Sequence, residues 1–187
     1  MILPVYAYGQ PVLSKVGEEI TKDYEGLETL LKDMWETMYN AHGVGLAAPQ
    51  IGRSIRLFLV DTIQVMPEGD EDKGIKKAFI NAEILEEEGE EWDYEEGCLS
   101  IPHLRGDVSR QSKIKIRYQD ENFKEYTEEY EGTNARVIQH EYDHIEGILF
   151  TEKLKPLKKR MIQRKLDAIK KGNVSADYKL KFKKIRR

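Results

Sequence analysis

The chain has 187 residues, of which 40% are hydrophobic and 34% are charged, with a formal net charge of -4. This composition is typical of a globular protein of one domain. No apolar run approaches the roughly 18 residues of a transmembrane helix, and the first residues do not resemble a signal peptide, so we expect a cytoplasmic protein without membrane contact. Cys98 is the only cysteine, which excludes an intramolecular disulfide and leaves a buried hydrophobe, a metal ligand or a nucleophile as its roles.

The first predicted element is a helix with one apolar face. Apolar residues recur at helical spacing on this face, at positions 27, 30, 31, 34, 35 and 38, so the face packs on a core. We expect Gly43 to end the helix in a left-handed conformation. Residues 43–52 are too rich in glycine and small side chains for a regular element. They form either a plain connector or a loop that a peptide backbone approaches closely.

Several strands are predicted next. Residues 55–60 and 79–85 have the character of strands, and residues 62–77 between them form an exposed loop. The acidic run 86–91 is expected to be a turn or a solvated edge. Residues 113–118 and 123–130 alternate in polarity, which predicts a hairpin with one face in water.

The sequence His140-Glu141-Tyr142-Asp143-His144 follows the hairpin. Two histidines four residues apart lie one turn apart on the same face of a helix, where both imidazoles reach one ion. Glu141 stands beside them as a candidate general base. The alternative is a half-buried helix with ordinary polar residues. We expect Thr133 or Asn134 to cap this helix and Gly147 to end it.

A C-terminal helix is predicted over residues 157–170, with Met161, Ile162, Leu166 and Ile169 docked on the core. From Lys153 to Arg187 there are 15 basic and two acidic residues, so this part has a charge of +13 and the rest has -17. Such asymmetry indicates either contact with nucleic acid or another polyanion, or a solvated and partly disordered tail.

Three stretches together resemble the signature motifs of bacterial peptide deformylase. They are GVGLAAPQ at 43–50, EGCLS at 96–100 and QHEYDH at 139–144. Their order and approximate spacing agree with the family, and the resemblance extends from about residue 5 to about residue 170. It implies an α+β fold in which mostly antiparallel sheets surround a central metal-binding helix, with a C-terminal helix outside. We expect one catalytic domain over residues 1–171 and a basic tail over residues 172–187.

The resemblance also implies roles for individual residues. Cys98, His140 and His144 would bind one divalent metal ion with a water in the fourth position. Glu141 would act as general base and then as general acid while the metal-bound water attacks the formyl carbon. The Gln50 side-chain amide and the Leu99 backbone N–H would stabilise the oxyanion. The expected substrate-binding residues are Val44, Gly45, Glu96, Gly97, Arg105 and Val137.

The same resemblance implies the substrate, the metal and a partner. The substrate is the formyl-methionine at the start of a newly made polypeptide. The metal is Fe²⁺ in the cell, with Ni²⁺, Co²⁺ or Zn²⁺ as alternatives, since thiolate and imidazole bind all four. Residues 158–171 would contact the ribosome through phosphate groups. Arg110 is expected to pair with Glu96 or Asp143 and so to brace the site.

Two other function classes are compatible with the histidine motif. A metallopeptidase would use a third histidine or a downstream carboxylate as ligand and would leave Cys98 idle. A non-catalytic module that binds RNA or the ribosome would close the fourth metal position with protein, and Glu141 would then have no task.

Overall fold

The computed structural model describes residues 1–184, so residues 185–187 of the predicted basic tail lie outside the described part. The fold is α+β, as predicted. Within residues 1–184, no helix has both the length and the apolar character needed to cross a bilayer. In chain order the strands and longer helices are β1 (Val5–Tyr6), α1 (Leu27–Asn40), β2 (Gly45–Ala47), β3 (Leu57–Asp61), β4 (Lys76–Cys98), β5 (Ile101–Gln119), β6 (Glu125–Glu131), α2 (Gly132–Ile145), α3 (Pro156–Lys170) and β7 (Leu180–Lys181).

The main sheet has five strands in the order β2-β3-β4-β5-β6, and each strand is antiparallel to its neighbours. The predicted hairpin is formed by the end of β5 and by β6. Of the two alternatives for the acidic run, the turn is wrong, because residues 86–91 lie within β4, which is 23 residues long. The solvated edge is confirmed, because these residues are exposed and lie where β4 pairs with β5 but not with β3. The carboxylates of this run stand opposite lysines of β5, as in the pairs Glu86–Lys115 and Glu88–Lys113. Cross-strand pairs of opposite charge favour this extended arrangement.

Helix α1 confirms the predicted apolar face, because Leu31, Met34 and Met38 are buried in one cluster with residues of β2 and β3. The left-handed residue after the helix is His42, with φ +57°, rather than Gly43. The prediction that residues 43–52 form no regular element is wrong for β2, which pairs with β3. These residues are buried, and pairing satisfies backbone groups that water cannot reach.

Helix α2 packs on the sheet and contacts β2, β3, β5 and β6. Gly147 ends the helix, as predicted, with φ +73°, and Ile148 N–H donates to the Asp143 carbonyl across it. The predicted capping by Thr133 or Asn134 is wrong. The helix begins at Gly132, so Thr133 and Asn134 lie inside its first turn, and residue 131 stands at the N-cap without a side-chain hydrogen bond. The Asn134 side chain instead hydrogen bonds with Thr62 and with the Lys73 carbonyl.

Helix α3 packs on β5 through Ile162, Leu166 and Ile169. Met161 does not dock, since it is 67% exposed. The chain then turns back, and β7 pairs in parallel with β1. The division of the chain at residues 171 and 172 stays a prediction.

Candidate active site

A cleft of about 550 Å³ opens between β2, the turn joining β4 to β5, and α2. The structure brings nearly all of the predicted site residues to this cleft, and His144 lies buried next to it. The predicted residues that line it are Val44, Gly45, Gln50, Glu96, Gly97, Cys98, Leu99, Arg105, Val137, His140 and Glu141.

Cys98, His140 and His144 form a candidate metal-binding group. Cys98 is the last residue of β4, and the two histidines lie one turn apart on α2. One ligand atom from each residue lies within 4.8 Å of the others, and the Cys98 Sγ is 3.4 Å from the His144 Nε2. One thiolate and two imidazoles suit a tetrahedral divalent ion with one open position.

The side chains around His140 favour a positive charge at the metal-binding group. Its Nδ1 hydrogen bonds with Glu96 Oε1 at 2.9 Å, which leaves Nε2 for a metal ion. Burial lowers the pKa of His140, but hydrogen bonds with Cys98 and Glu96 outweigh burial and raise it well above its usual value. Burial lowers the pKa of His144, so its imidazole is neutral. The residues therefore fit a divalent cation.

Glu96 is the anchor of a buried charge network behind the metal-binding group. Its side chain is 4% exposed and accepts two hydrogen bonds from Arg110, at 2.7 and 3.0 Å. Arg110 also donates to Asp143 at 2.9 Å, so it pairs with both predicted acids. Burial raises the pKa of Glu96, but the hydrogen bonds from His140 and Arg110 hold it well below its usual value. Glu96 is thus an anion, and its hydrogen bond orients the His140 ring.

Arg136 belongs to the same network and was missed by the sequence analysis. Its guanidinium donates to Glu96 at 2.9 Å and lies 4.5 Å from the centre of the Trp92 ring. Because it stands four residues before His140 on α2, helical spacing placed it on the histidine face. Nothing in the sequence indicated that Glu96, on β4, would meet it there.

Glu141 is a buried carboxylate at the floor of the cleft. It is 4% exposed, and its Oε2 has no hydrogen-bond partner among the described residues. Burial raises its pKa to about 7, a value suited to a group that accepts and returns a proton near neutral pH. The other oxygen lies against Gly45, where an added Cβ would stand 2.5 Å from it. Glycine at this position gives the carboxylate its space.

Gln50 and Leu99 line the cleft close to Cys98. Gln50 Oε1 accepts the Ala47 N–H at 3.0 Å, which turns the amide nitrogen towards Cys98 Sγ and Ser100 Oγ, at 3.5 and 3.2 Å. Leu99 occupies the two-residue turn between β4 and β5. The Gln50 amide nitrogen therefore lies beside the metal-binding group, and Leu99 directly follows Cys98 in the chain.

Arg105 lies at the rim of the cleft, where its side chain is 60% exposed and pairs with Glu95 at 3.1 Å. The cleft is also lined by three residues of the C-terminal segment, Ala176, Asp177 and Tyr178. They belong to the predicted basic tail, where no motif or periodicity indicated contact with the site.

Comparisons with known proteins agree with this geometry. The family model described as polypeptide deformylase matches residues 2–160. A peptide deformylase of Flavobacterium psychrophilum is 57% identical over 97% of this chain and 97% of its own, and that of Christiangramia forsetii is 54% identical over 97% and 96%. The crystal structure of a peptide deformylase from Legionella pneumophila has a TM-score of 0.79 at 39% identity, covering 91% of this chain and 96% of its own. The chain belongs to the polypeptide deformylase family, metal-dependent hydrolases that remove the N-formyl group from nascent peptides.

Proposed function

We propose that this chain hydrolyses the formyl amide of an N-terminal formyl-methionine with Cys98, His140 and His144 as metal ligands and Glu141 as the proton-transferring group. The observation that carries the proposal is the position of the unpartnered Glu141 carboxylate beside three converging ligand atoms in an open cleft. When bound, a divalent ion supplies Lewis-acid chemistry, since it lowers the pKa of water and polarises a carbonyl.

Glu141 performs the proton transfers in this proposal. It takes a proton from the attacking water as the new C–O bond forms at the formyl carbon. It then gives that proton to the leaving nitrogen as the C–N bond breaks, so that water and the formyl amide become formate and a free amine. A pKa of about 7 suits both steps, because neither protonation state is strongly disfavoured.

Gln50 and Leu99 would stabilise the negative charge that develops on the formyl oxygen. The Gln50 amide is held rigid through its hydrogen bonds with Ala47 and Ser100, so it needs little reorganisation during the reaction. The Leu99 backbone N–H would act as the second donor. Loss of one donor of this kind lowers a rate by about 100-fold to 1000-fold.

The peptide would lie along the cleft as an added strand, with backbone contacts to Gly45 and Gly97. Val44, Val137 and the backbone at Glu96 would surround the methionine side chain. Because the Glu96 carboxylate is buried by Arg110, Arg136 and His140, it is not available to the substrate. Arg105, exposed at the rim, would hold a carbonyl or carboxylate further along the peptide.

An anaerobic assay with formyl-Met-Ala-Ser and acetyl-Met-Ala-Ser tests the reaction. We expect formate from the first peptide and no product from the second. Glu141→Ala should lose nearly all turnover, and full turnover in this variant would refute the proton-transfer role. A metallopeptidase is disfavoured because Cys98 occupies the place that a third histidine or a carboxylate would take. Cleavage within the peptide chain would reverse that conclusion.

We also propose Fe²⁺ as the ion in the cell, on the strength of the family resemblance, because the donor set alone accepts Fe²⁺, Ni²⁺, Co²⁺ and Zn²⁺. The iron form should lose activity in air, and the nickel form should keep it. Equal stability of the two forms in air would contradict the proposal.

Contact with the ribosome through α3 is a further part of the proposal. The outer face of α3 is exposed and basic, at Lys159, Arg160, Arg164 and Lys165. Removing α3 by truncation is a poor test, because the inner face of the helix is buried and its loss would expose the core. Charge reversal of these four residues is the cleaner test, and it should weaken ribosome binding at low salt while sparing hydrolysis of a short peptide. Unchanged ribosome affinity would refute it.

A further inference from the structure

The segment 174–182, here called the C-terminal strap, runs from the end of α3 past the cleft. Both of its ends are anchored by partly buried side chains, because Val174, Leu180 and Phe182 pack against the cluster that includes α3 and β5. Strand β7 fixes its last part to β1. The strap lies beyond the residues that the family model matches, 2–160.

Three polar contacts hold the strap along one side of the cleft. The His103 ring hydrogen bonds with the Ser175 carbonyl at 2.6 Å, and the Tyr178 hydroxyl donates to the Leu99 carbonyl at 2.7 Å. Asp177 lies 3.8 Å from the His42 ring, and both of these side chains are exposed. The half-buried Tyr178 contact is thus the one that reaches the catalytic centre.

The Tyr178 contact falls on the turn that connects two functional groups. Cys98, a proposed metal ligand, pairs with Ile101 across this turn, and Leu99 would supply an oxyanion donor. The Ser100 half of the turn is held by its own contacts, since its carbonyl accepts the Tyr8 N–H at 2.8 Å and its hydroxyl accepts from Gln50. The Leu99 half is held by Tyr178.

We propose that Tyr178 is a positioning residue, which fixes the Leu99–Ser100 turn so that the Leu99 N–H points at the developing oxyanion. This inference rests on the proposed function, because it assigns a purpose to a donor that the proposed function uses. A hydrogen bond to the Leu99 carbonyl restricts rotation of the backbone at Leu99, and the N–H shares the same Cα. A donor aligned before the reaction stabilises the transition state more than one that must first reorient.

Tyr178→Phe tests the inference because it removes only the hydroxyl. Full loss of an oxyanion donor lowers a rate by about 100-fold to 1000-fold, and a misaligned donor retains part of its effect. We therefore expect kcat to fall by about 10-fold with formyl-Met-Ala-Ser, with KM and metal content unchanged. The matched control is Tyr126→Phe, which removes a hydroxyl hydrogen bond to Asp120 in the β5–β6 hairpin. It should leave both kinetic constants unchanged.

Amide hydrogen exchange in the full-length protein provides a readout that does not depend on activity. Tyr178→Phe should speed exchange in a peptide that covers Leu99 and Ser100 and leave exchange in α2 unchanged, whereas Tyr126→Phe should alter neither. Thermal unfolding should respond similarly to both substitutions, because each removes one hydroxyl hydrogen bond.

A kcat within twofold of the wild type, or a loss confined to KM, would overturn the positioning role. Unchanged exchange at Leu99 would overturn it as well. Failure of the proposed function has a different signature, since the wild-type protein itself would then release no formate. The exchange experiment would still decide whether Tyr178 orders the turn.

Discussion

Gly45→Ala adds one methyl group next to the proposed proton-transferring group. The new Cβ would stand 2.5 Å from Glu141 Oε1, whereas ordinary contact begins at 3.4 Å. The carboxylate would therefore have to move by about 0.9 Å. Because a misplacement of about 1 Å lowers a rate by roughly 100-fold, we expect kcat to fall by that order. KM should change little, since Glu141 acts in the chemical step.

The assay is steady-state release of formate from formyl-Met-Ala-Ser, together with binding of the same peptide measured by calorimetry. Binding separates two effects, because Gly45 is also proposed to contact the peptide backbone. With Glu141→Ala as the background, the atoms that the new Cβ would strike are gone. Gly45→Ala should then leave peptide affinity unchanged.

Two results would refute this reasoning. One is a Gly45→Ala variant with wild-type kcat, which would mean that the carboxylate tolerates the displacement. The other is a double variant that binds the peptide much more weakly than Glu141→Ala alone. In that case the glycine would serve the approach of the substrate and not the space of Glu141.

Four further predictions concern the metal-binding group and the charges around it. Arg110→Ala should lower the free energy of unfolding by about 3 kcal/mol, because it leaves a buried carboxylate with fewer partners. The control is Lys153→Ala, which removes an exposed side chain and should change the free energy of unfolding by less than about 1 kcal/mol. Similar losses for the two variants in chemical denaturation would contradict this. The pKa of Glu96 is lower in the folded state than its unfolded value of 4.5. The Glu96 carboxylate therefore stabilises the fold above pH 4.5, and this stabilisation is lost progressively as the pH falls below 4.5. The difference in unfolding free energy between wild type and Arg110→Ala should accordingly shrink in acid. The pKa of Glu141 is raised to about 7 by burial. The unfolding free energy of the metal-free protein should therefore fall by about 3 kcal/mol relative to that of Glu141→Gln as the pH rises from 4.5 to 7. Parallel curves of unfolding free energy against pH for the two proteins would argue against it. Cys98→Ala should lose most of its bound metal, and metal content equal to the wild type would exclude the thiolate as a ligand.

Local patterns predicted the elements that depend on neighbouring residues. The apolar spacing of α1 and the alternation in the β5–β6 hairpin each reflect a single buried face. The spacing of His140 and His144 placed both imidazoles on one side of α2 for the same reason. Family resemblance supplied Cys98 as their partner, which the local pattern could not, because 41 residues separate Cys98 from His140.

Patterns failed where a residue's state depends on a distant partner. The acidic run was correctly expected to be solvated, but its polarity could not decide between a turn and a strand edge, and lysines on β5 favour the strand. Residues 45–47 are rich in small side chains, yet β3 pairs with them because their buried backbone groups need partners.

The sequence by itself determined the helices, the hairpin and the histidine motif, because these follow from periodicity within a few turns of chain. The Arg110–Glu96 pair was predicted, but tertiary structure alone decided that Glu96 also gathers Arg136 and His140. It also decided that the strap brings Tyr178 to Leu99. These contacts join residues distant in the chain. Their formation depends on how the sheet, α2 and the end of the chain pack together, which no local spacing encodes.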